Sequence, residues 1–220
     1  MPRDLDNPYG MEFRGRERGL KFIRPYRNVG ELNSVEQLKL SRHPFEVAQA
    51  VIDTYSKQGA DSISAVPGEQ ERLKWVGMYP QKQGGDAFMM RIKVPGGHLT
   101  AAQFREIGVV ADAFGEGPDG TESRVFGSKY ADLTTRQSVQ IHWIRIEDVP
   151  RIWRRFAQVG LTSIQGCGDG ARNVLCCPVS GVDADEAFDA YPVVKQVSDF
   201  FTGNREYANL PRKFKISITG

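Results

Sequence analysis

Cysteine is scarce in this 220-residue chain: Cys167, Cys176 and Cys177 are the three it has. An odd number in a chain of this size excludes a disulfide framework. With no CxxC-type spacing and no neighbouring histidine, the three thiols build neither a zinc nor an iron–sulfur site, and are expected as free, buried small hydrophobes. Long apolar runs are absent too, since nothing approaches the roughly 20 residues of a membrane span. Met1 to Gly10 has no apolar core of a secretory leader. No membrane association is expected, and a reducing cytoplasm is the expected location. A charge excess of one sign is also missing: 29 basic residues meet 27 acidic ones, for a net charge of +2. That argues against a general nucleic-acid binder, which shows a basic excess over a whole face. Clusters of cations therefore need local explanations.

The densest cluster lies near the end, where Leu210 to Lys215 reads LPRKFK, followed by the alternating Ile216-Ser217-Ile218. If a strand runs from Lys213 to Thr219, Lys213 and Lys215 project to one side, and two ammonium groups aimed together call for an anion. A solvated basic strand edge that blocks aggregation is the plain alternative.

Periodicity organises the rest. Residues 1–42 form a polar arm in which Arg14, Arg16, Arg18, Lys21, Arg24 and Arg27 alternate with acids. Pro44 opens a helix with Phe45, Ala48, Val51, Ile52 and Tyr55 inward, and Gly59 ends it. A loop leads to Arg72–Gly77, and Gln81 to Asp86 reads as a turn. Phe88–Val94 is a strand stopped by Pro95-Gly96-Gly97. Thr100 and Gln103 make a capping box for a helix that buries Phe104, Ile107, Ala111 and Phe114. Gly115 to Gly120 is a loop. Ser138–Ile146 alternates as a strand with Val139, Ile141 and Trp143 on one face. Asp148 caps a helix with Pro150 in its first turn and Ile152, Trp153, Phe156 and Val159 inward. Further strands are expected at Thr162–Gln165 and Asn173–Cys177, a capping box at Asp183 and Glu186, and a helix at Pro192–Phe201. Strand–helix–strand–helix order predicts an α+β, ferredoxin-like unit.

Four ordered segments, MRIKVPGG from Met90, Thr134-Thr135-Arg136-Gln137, Gly170-Ala171-Arg172-Asn173-Val174 and LPRKFK, resemble the ferredoxin-dependent siroheme nitrite and sulfite reductases. Arg72-Leu73-Lys74-Trp75-Val76-Gly77-Met78-Tyr79-Pro80 resembles them as well. The resemblance implies a ferredoxin-like half-domain at 71–165, after an arm and helix at 1–70. The start of an α/β siroheme-binding domain at 166–220 follows, truncated. It implies six-electron reduction of nitrite to ammonia or sulfite to sulfide. Ferredoxin would be the donor, with siroheme and a 4Fe–4S cluster whose ligands are expected downstream. Carried over by position, Arg91, Arg172, Lys213 and Lys215 would surround the substrate. Arg136 and Gln140 would hold siroheme, with Thr135, His142 and Asn173 beside them.

Physical chemistry agrees with that assignment. Siroheme carries eight carboxylates, and guanidinium forks match carboxylates in pairs. Arg91, flanked by apolar residues on a strand, demands an anion if buried. Each residue also has a plainer reading: Arg136 as a salt-bridge partner of Asp132 or Glu147, His142 as a hydrogen-bonded core histidine, and Arg172 as a loop brace. Two lysines in LPRKFK favour sulfite, while RLKWVG and GVD are closer to the nitrite branch, and nitrite is placed first. The family's paired cluster cysteines are not in this sequence, so the chain is expected to be the front part of a longer enzyme, inactive alone. Two competing readings are a non-catalytic ferredoxin-like module binding an anion, complete at Gly220, and an RNA-binding sheet. The second needs exposed aromatics and a basic face, against which the near-neutral charge speaks.

Overall fold

The computed structural model of the chain describes residues 9–10, 13–15, 32–81, 86–118 and 127–220. Most of the basic arm (Arg16, Arg18, Lys21, Arg24 and Arg27), the middle of the Gln81–Asp86 turn and the end of the Gly115–Gly120 loop lie outside the described residues.

Helix α1 (Ser34–Ser41) is capped by Asn33, whose side chain accepts from the Val35 and Glu36 N–H groups. Helix α2 begins at Glu46–Ala50, widens into a π-helical stretch over Val51–Tyr55 and closes with Ser56–Gln58. Phe45, Val47, Ala48, Val51 and Tyr55 are its buried face, and Gly59, at φ +82°, ends it as expected. The loop expected next is instead α3 (Ala60–Ser64) and α4 (Glu69–Arg72), running into a 3-10 turn at Leu73–Val76. These helices are too short to show a hydrophobic period.

Strands β1 (Met78–Pro80), β2 (Ala87–Ile92), β3 (Ala131–Leu133) and β4 (Val139–Arg145) form one antiparallel sheet in the order β1-β2-β4-β3. Helices α5 (Ala101–Phe114) and α6 (Val149–Gln158) link and follow them. This is the ferredoxin-like arrangement with one substitution. The place beside β2 that the expected strand at Thr162–Gln165 would fill is taken by β1, from earlier in the chain. Thr162 contributes a single bridge to Lys93, its carbonyl accepting from the Lys93 N–H at 2.9 Å.

Three local readings change phase. Helix α5 has the expected capping box, but the buried stripe is Ile107, Val110 and Ala111, an i, i+3, i+4 set, and Phe104 is 59% exposed. In β4, Trp143 takes φ +64° at a bulge: Phe88 pairs with Ile144 and Met90 with Ile141, so two residues face Met89. The core therefore passes from Val139 and Ile141 to Ile144 and Ile146, and Trp143 is buried outside that cluster. Asp148 makes no side-chain cap, because the 3-10 turn Ile146–Asp148 runs directly into α6.

The remaining segment is mostly loop, with two-residue strands β5 (Leu175–Cys176) and β6 (Ser217–Ile218) paired in parallel and α7 (Tyr191–Phe201) beside them. Asp183 and Glu186 open no helix. Their carboxylates accept from the Asp185 and Gly181 N–H groups and brace a turn. Lys213 sits in a turn at φ +62°, so Lys213 and Lys215 do not share a strand face.

Candidate functional site

Three pieces of chain meet beyond the C-terminal half of β2. Arg91 stands on β2 directly opposite Gln140 on β4. The turn 134–137 joins β3 to β4. A glycine-rich stretch, Gly166 to Asn173, passes beside them so closely that a Cβ on Gly166 would lie 2.5 Å from the Arg91 carbonyl oxygen. Gly168, at φ +79°, meets the Trp75 ring, which a Cβ would approach to 2.7 Å. Only glycine lets the backbone come this near.

Amide side chains stitch these pieces together. Asn173 accepts from the Val94 N–H at 3.0 Å, and donates to the carbonyls of Val94, Arg136 and Gln137 at 2.8, 3.0 and 2.7 Å. Gln137 clamps Cys176, donating to its carbonyl at 2.8 Å and accepting from its N–H at 2.9 Å. The terminal segment then joins through its backbone: the Arg172 N–H donates to the Phe214 carbonyl at 3.2 Å, and the Leu175 N–H to Ile216 at 3.0 Å. In this way the GARNV and LPRKFK motifs arrive side by side.

Two cavities result. One, of about 300 Å³, is walled by Lys74, Tyr79, Arg91, Asp169, Arg172 and Lys213, with Val35, Glu71, Trp75, Cys167, Gly168 and Arg212 completing it. The other, of about 230 Å³, is walled by Thr135, Arg136, Gln140 and Asn173, together with Thr134, Ser138 and Gly166. Arg91 and Arg172 belong to both, so they form the partition.

Arg91 is held on three sides. Its Nη1 donates to the Tyr79 hydroxyl at 3.2 Å, and its guanidinium lies 5.1 Å from the centre of the Tyr79 ring. With the Gln140 amide turned oxygen-inward, the orientation that gives both its ends complementary partners, it accepts from Arg91 Nε at 3.2 Å and Nη2 at 2.8 Å. Burial, and then the charge of Arg172, lower the Arg91 pKa from its ordinary value. Arg136 is lowered by burial and by both other guanidiniums. It donates to the Asn173 carbonyl at 3.3 Å and pairs with neither Asp132 nor Glu147. Arg172 Nε is buried with no hydrogen-bond partner among the described residues. Three mutually repelling guanidiniums without a carboxylate partner among the described residues mark a place for an anion.

Of the residues singled out in the sequence, Arg91, Arg172 and Lys213 line the first cavity, and Thr135, Arg136, Gln140 and Asn173 the second. Lys215 lines neither and is exposed. His142 also lines neither: its Nε2 is 2.9 Å from an Asp132 carboxylate oxygen and its Nδ1 3.2 Å from the Gln81 amide, on the open side of the sheet. Sequence reasoning missed Tyr79, Lys74 and Asp169 as cavity residues. The first two lie inside the Arg72–Pro80 segment that carried part of the resemblance, while Asp169 had no signal. Among the described residues, no group of three or more histidine, cysteine, aspartate or glutamate side chains is arranged to hold a metal.

Comparison with known proteins decides the family. Residues 79–118 and 123–159 match the nitrite/sulfite reductase ferredoxin-like half domain, and residues 167–220 match the nitrite and sulphite reductase 4Fe-4S domain. The chain belongs to the nitrite and sulphite reductase family. It is 36% identical over 205 residues to sulfite reductase (ferredoxin) 1 of Mycolicibacterium paratuberculosis, covering 86% of this chain and 35% of that protein. With the ferredoxin–nitrite reductase of Leptolyngbya laminosa it shares 38% identity over 193 residues, with the same coverage, 86% and 35%. The solved structure of the Mycobacterium tuberculosis NirA protein superposes with a TM-score of 0.75 at 34% identity, over 86% of this chain and 35% of that one. The chain thus spans about a third of the length of these family members. No helix among the described residues is long and apolar enough to cross a membrane.

Proposed function

We propose that this chain supplies one wall of the catalytic centre of an assimilatory, ferredoxin-dependent reductase of the cytoplasm. It would reduce nitrite to ammonia, or sulfite to sulfide, by six electrons. The observation that carries the reading is the partition: Arg91 and Arg172 face two cation-lined cavities at once and have no acidic partner among the described residues. Relatives named for each substrate match comparably, so nitrite rests on the RLKWVG and GVD segments. Three segments, 1–70, 71–165 and 166–220, remain the proposed domain division.

Siroheme, coupled to a 4Fe–4S cluster, would supply the electron transfer. The residues present fit its periphery: Arg136, Thr135 and Gln140, braced by Asn173, offer fixed donors to carboxylates in the second cavity. A tetrapyrrole is larger than either cavity, so these residues hold an edge of it and the remainder needs further protein. The cluster thiolates are likewise expected from outside the described residues, because Cys167, Cys176 and Cys177 stand free. His142 would brace the sheet beside the site through Asp132 and Gln81.

In the first cavity, Arg91, Arg172 and Lys213 would bind the anionic substrate and stabilise negative charge on departing oxygens, which leave as water. The Lys213 ammonium and the Tyr79 hydroxyl are the proton donors at hand. Lys215, two residues beyond Lys213, would add to the field from outside. Guanidiniums of lowered proton affinity remain charged at neutral pH and serve as fixed cations.

The test is to purify the protein with its bound chromophore and to follow nitrite and sulfite consumption with reduced ferredoxin. Tetrapyrrole absorbance with turnover of either anion supports the reading. A protein that binds anions but takes up no siroheme would be the non-catalytic module instead.

A further inference from the structure

Helix α1 docks in an unusual way: its buried residue is a lysine. Lys39, 2% exposed, places its Nζ 2.9 Å from Asp169 Oδ2 and 2.6 Å from Glu36 Oε1. A lysine so deeply buried needs a carboxylate. Asp169 in turn lies in the wall of the first cavity, three residues before Arg172. The other carboxylate in that wall, Glu71, is already bound by Lys74 at 2.5 Å. Both acids of the cavity are thus engaged by lysines, Asp169 sharing the Lys39 ammonium with Glu36, and neither forms an ion pair with Arg91, Arg172, Arg212 or Lys213 among the described residues.

We propose that Lys39 is a positioning residue for the anion site: by holding the Asp169 carboxylate it keeps Arg172 and Lys213 free to receive an incoming anion. The inference rests on the anion-binding reading given above. Without the Lys39 ammonium, Asp169 carries an unopposed charge in the same cavity, and that charge competes with substrate for the same cations. A helix from the N-terminal part of the chain thereby sets the charge of a site built from residues far downstream. Two other contacts fix α1 independently: Arg72 donates to the Leu38 carbonyl at 3.0 Å and to the Ser41 hydroxyl. Loss of Lys39 therefore need not release the helix.

The experiment is titration calorimetry of nitrite, and separately sulfite, into the oxidised, siroheme-loaded protein with no electron donor, so that binding is read without turnover. Lys39→Met is expected to weaken binding roughly tenfold, Asp169→Asn to tighten it roughly threefold, and the double variant, which restores the net charge, to return close to the parent. A double variant as weak as Lys39→Met, or an Asp169→Asn that gains nothing, overturns the proposal, because a purely structural pin would give those results. Should Lys39→Met fail to fold, the other two variants still decide. Arg172→Ala separates the two levels. If it leaves anion binding intact, the reading of the cavity itself is wrong. If it abolishes binding while Lys39→Met does not weaken it, only the role of Lys39 falls.

Discussion

Asn173 holds Val94 by both of its backbone polar groups, accepting from the N–H at 3.0 Å and donating to the carbonyl at 2.8 Å. One side chain thus imitates a strand partner at the point where β2 ends. The same amide nitrogen reaches the carbonyls of Arg136 and Gln137, so the turn carrying Arg136 and the strand carrying Arg91 are tied through one residue. Arg172, next in the chain, is oriented by the same brace.

Removing that amide leaves a buried N–H and buried carbonyls without partners. Asn173→Ala is expected to cost about 3 kcal/mol of unfolding free energy. Asn173→Asp should cost more at neutral pH, because a carboxylate sets an acceptor against three carbonyl oxygens. Denaturant unfolding monitored by circular dichroism measures both. A loss below about 0.5 kcal/mol for the alanine variant would show that water replaces the brace.

Much of this was legible in the sequence, and the exceptions share a cause. Thr100 with Gln103 and Gly59 are signals that act within one turn of chain, and the structure has them where the sequence placed them. The positions that misled depend on distant chain. Thr162–Gln165 has a strand-like sequence, but β1 occupies its place in the sheet. Trp143 keeps the alternation on paper, while a bulge against Met89 shifts the core to Ile144. Phe104 fits the helical stripe, yet the sheet meets α5 one position over. In the site, Arg91 was visible because a guanidinium between apolar residues is conspicuous, and Arg136 and Arg172 because they sit in the TTRQ and GARNV motifs that carry the resemblance. Asp169 was invisible, because its importance lies in a contact with Lys39, 130 residues earlier.

Arg136 lies in the second cavity with its guanidinium anchored to the Asn173 carbonyl and its pKa lowered by burial and by Arg172 and Arg91. Under the proposed role it is a carboxylate anchor, not a participant in bond breaking. Arg136→Ala should retain siroheme roughly tenfold less tightly, while the rate per bound siroheme stays near the parent value. The ratio of tetrapyrrole to protein absorbance, read alongside turnover, gives both quantities. A fully loaded but slow variant would move Arg136 to the substrate side.

The two lysines of LPRKFK are not equivalent in the structure. Lys213 turns back into the first cavity at φ +62°, and Lys215 points its charge elsewhere on the surface. Lys213→Ala should therefore raise the KM for either anion about tenfold, and Lys215→Ala by less than about threefold. Lys215→Asn should lower sulfite turnover more than nitrite turnover, since sulfite carries the greater charge. Steady-state kinetics with both anions decides, and equal losses for the two would remove the charge argument.

Lys93 offers a prediction that depends on pH. Its side chain is buried, donating to Thr202 Oγ1 at 2.9 Å and to the Ala171 carbonyl at 3.5 Å, with no carboxylate within ion-pair distance among the described residues. Burial lowers its pKa to about 8 from the usual 10.5, against the weaker opposing pull of Asp199. Below pH 8 the lysine is charged in both folded and unfolded chains, and folding carries the full desolvation cost. Between about 8 and 10.5 the folded chain has lost its proton while the unfolded chain keeps it, so stability rises with pH. Lys93→Met lacks this titration. The parent should therefore gain on the variant by on the order of 3 kcal/mol across that window, with a constant difference on either side. Unfolding free energies of both proteins from pH 7 to pH 11 test it. A difference that does not change with pH would mean that Lys93 stays charged in the folded protein, held by its two hydrogen bonds and by Asp199.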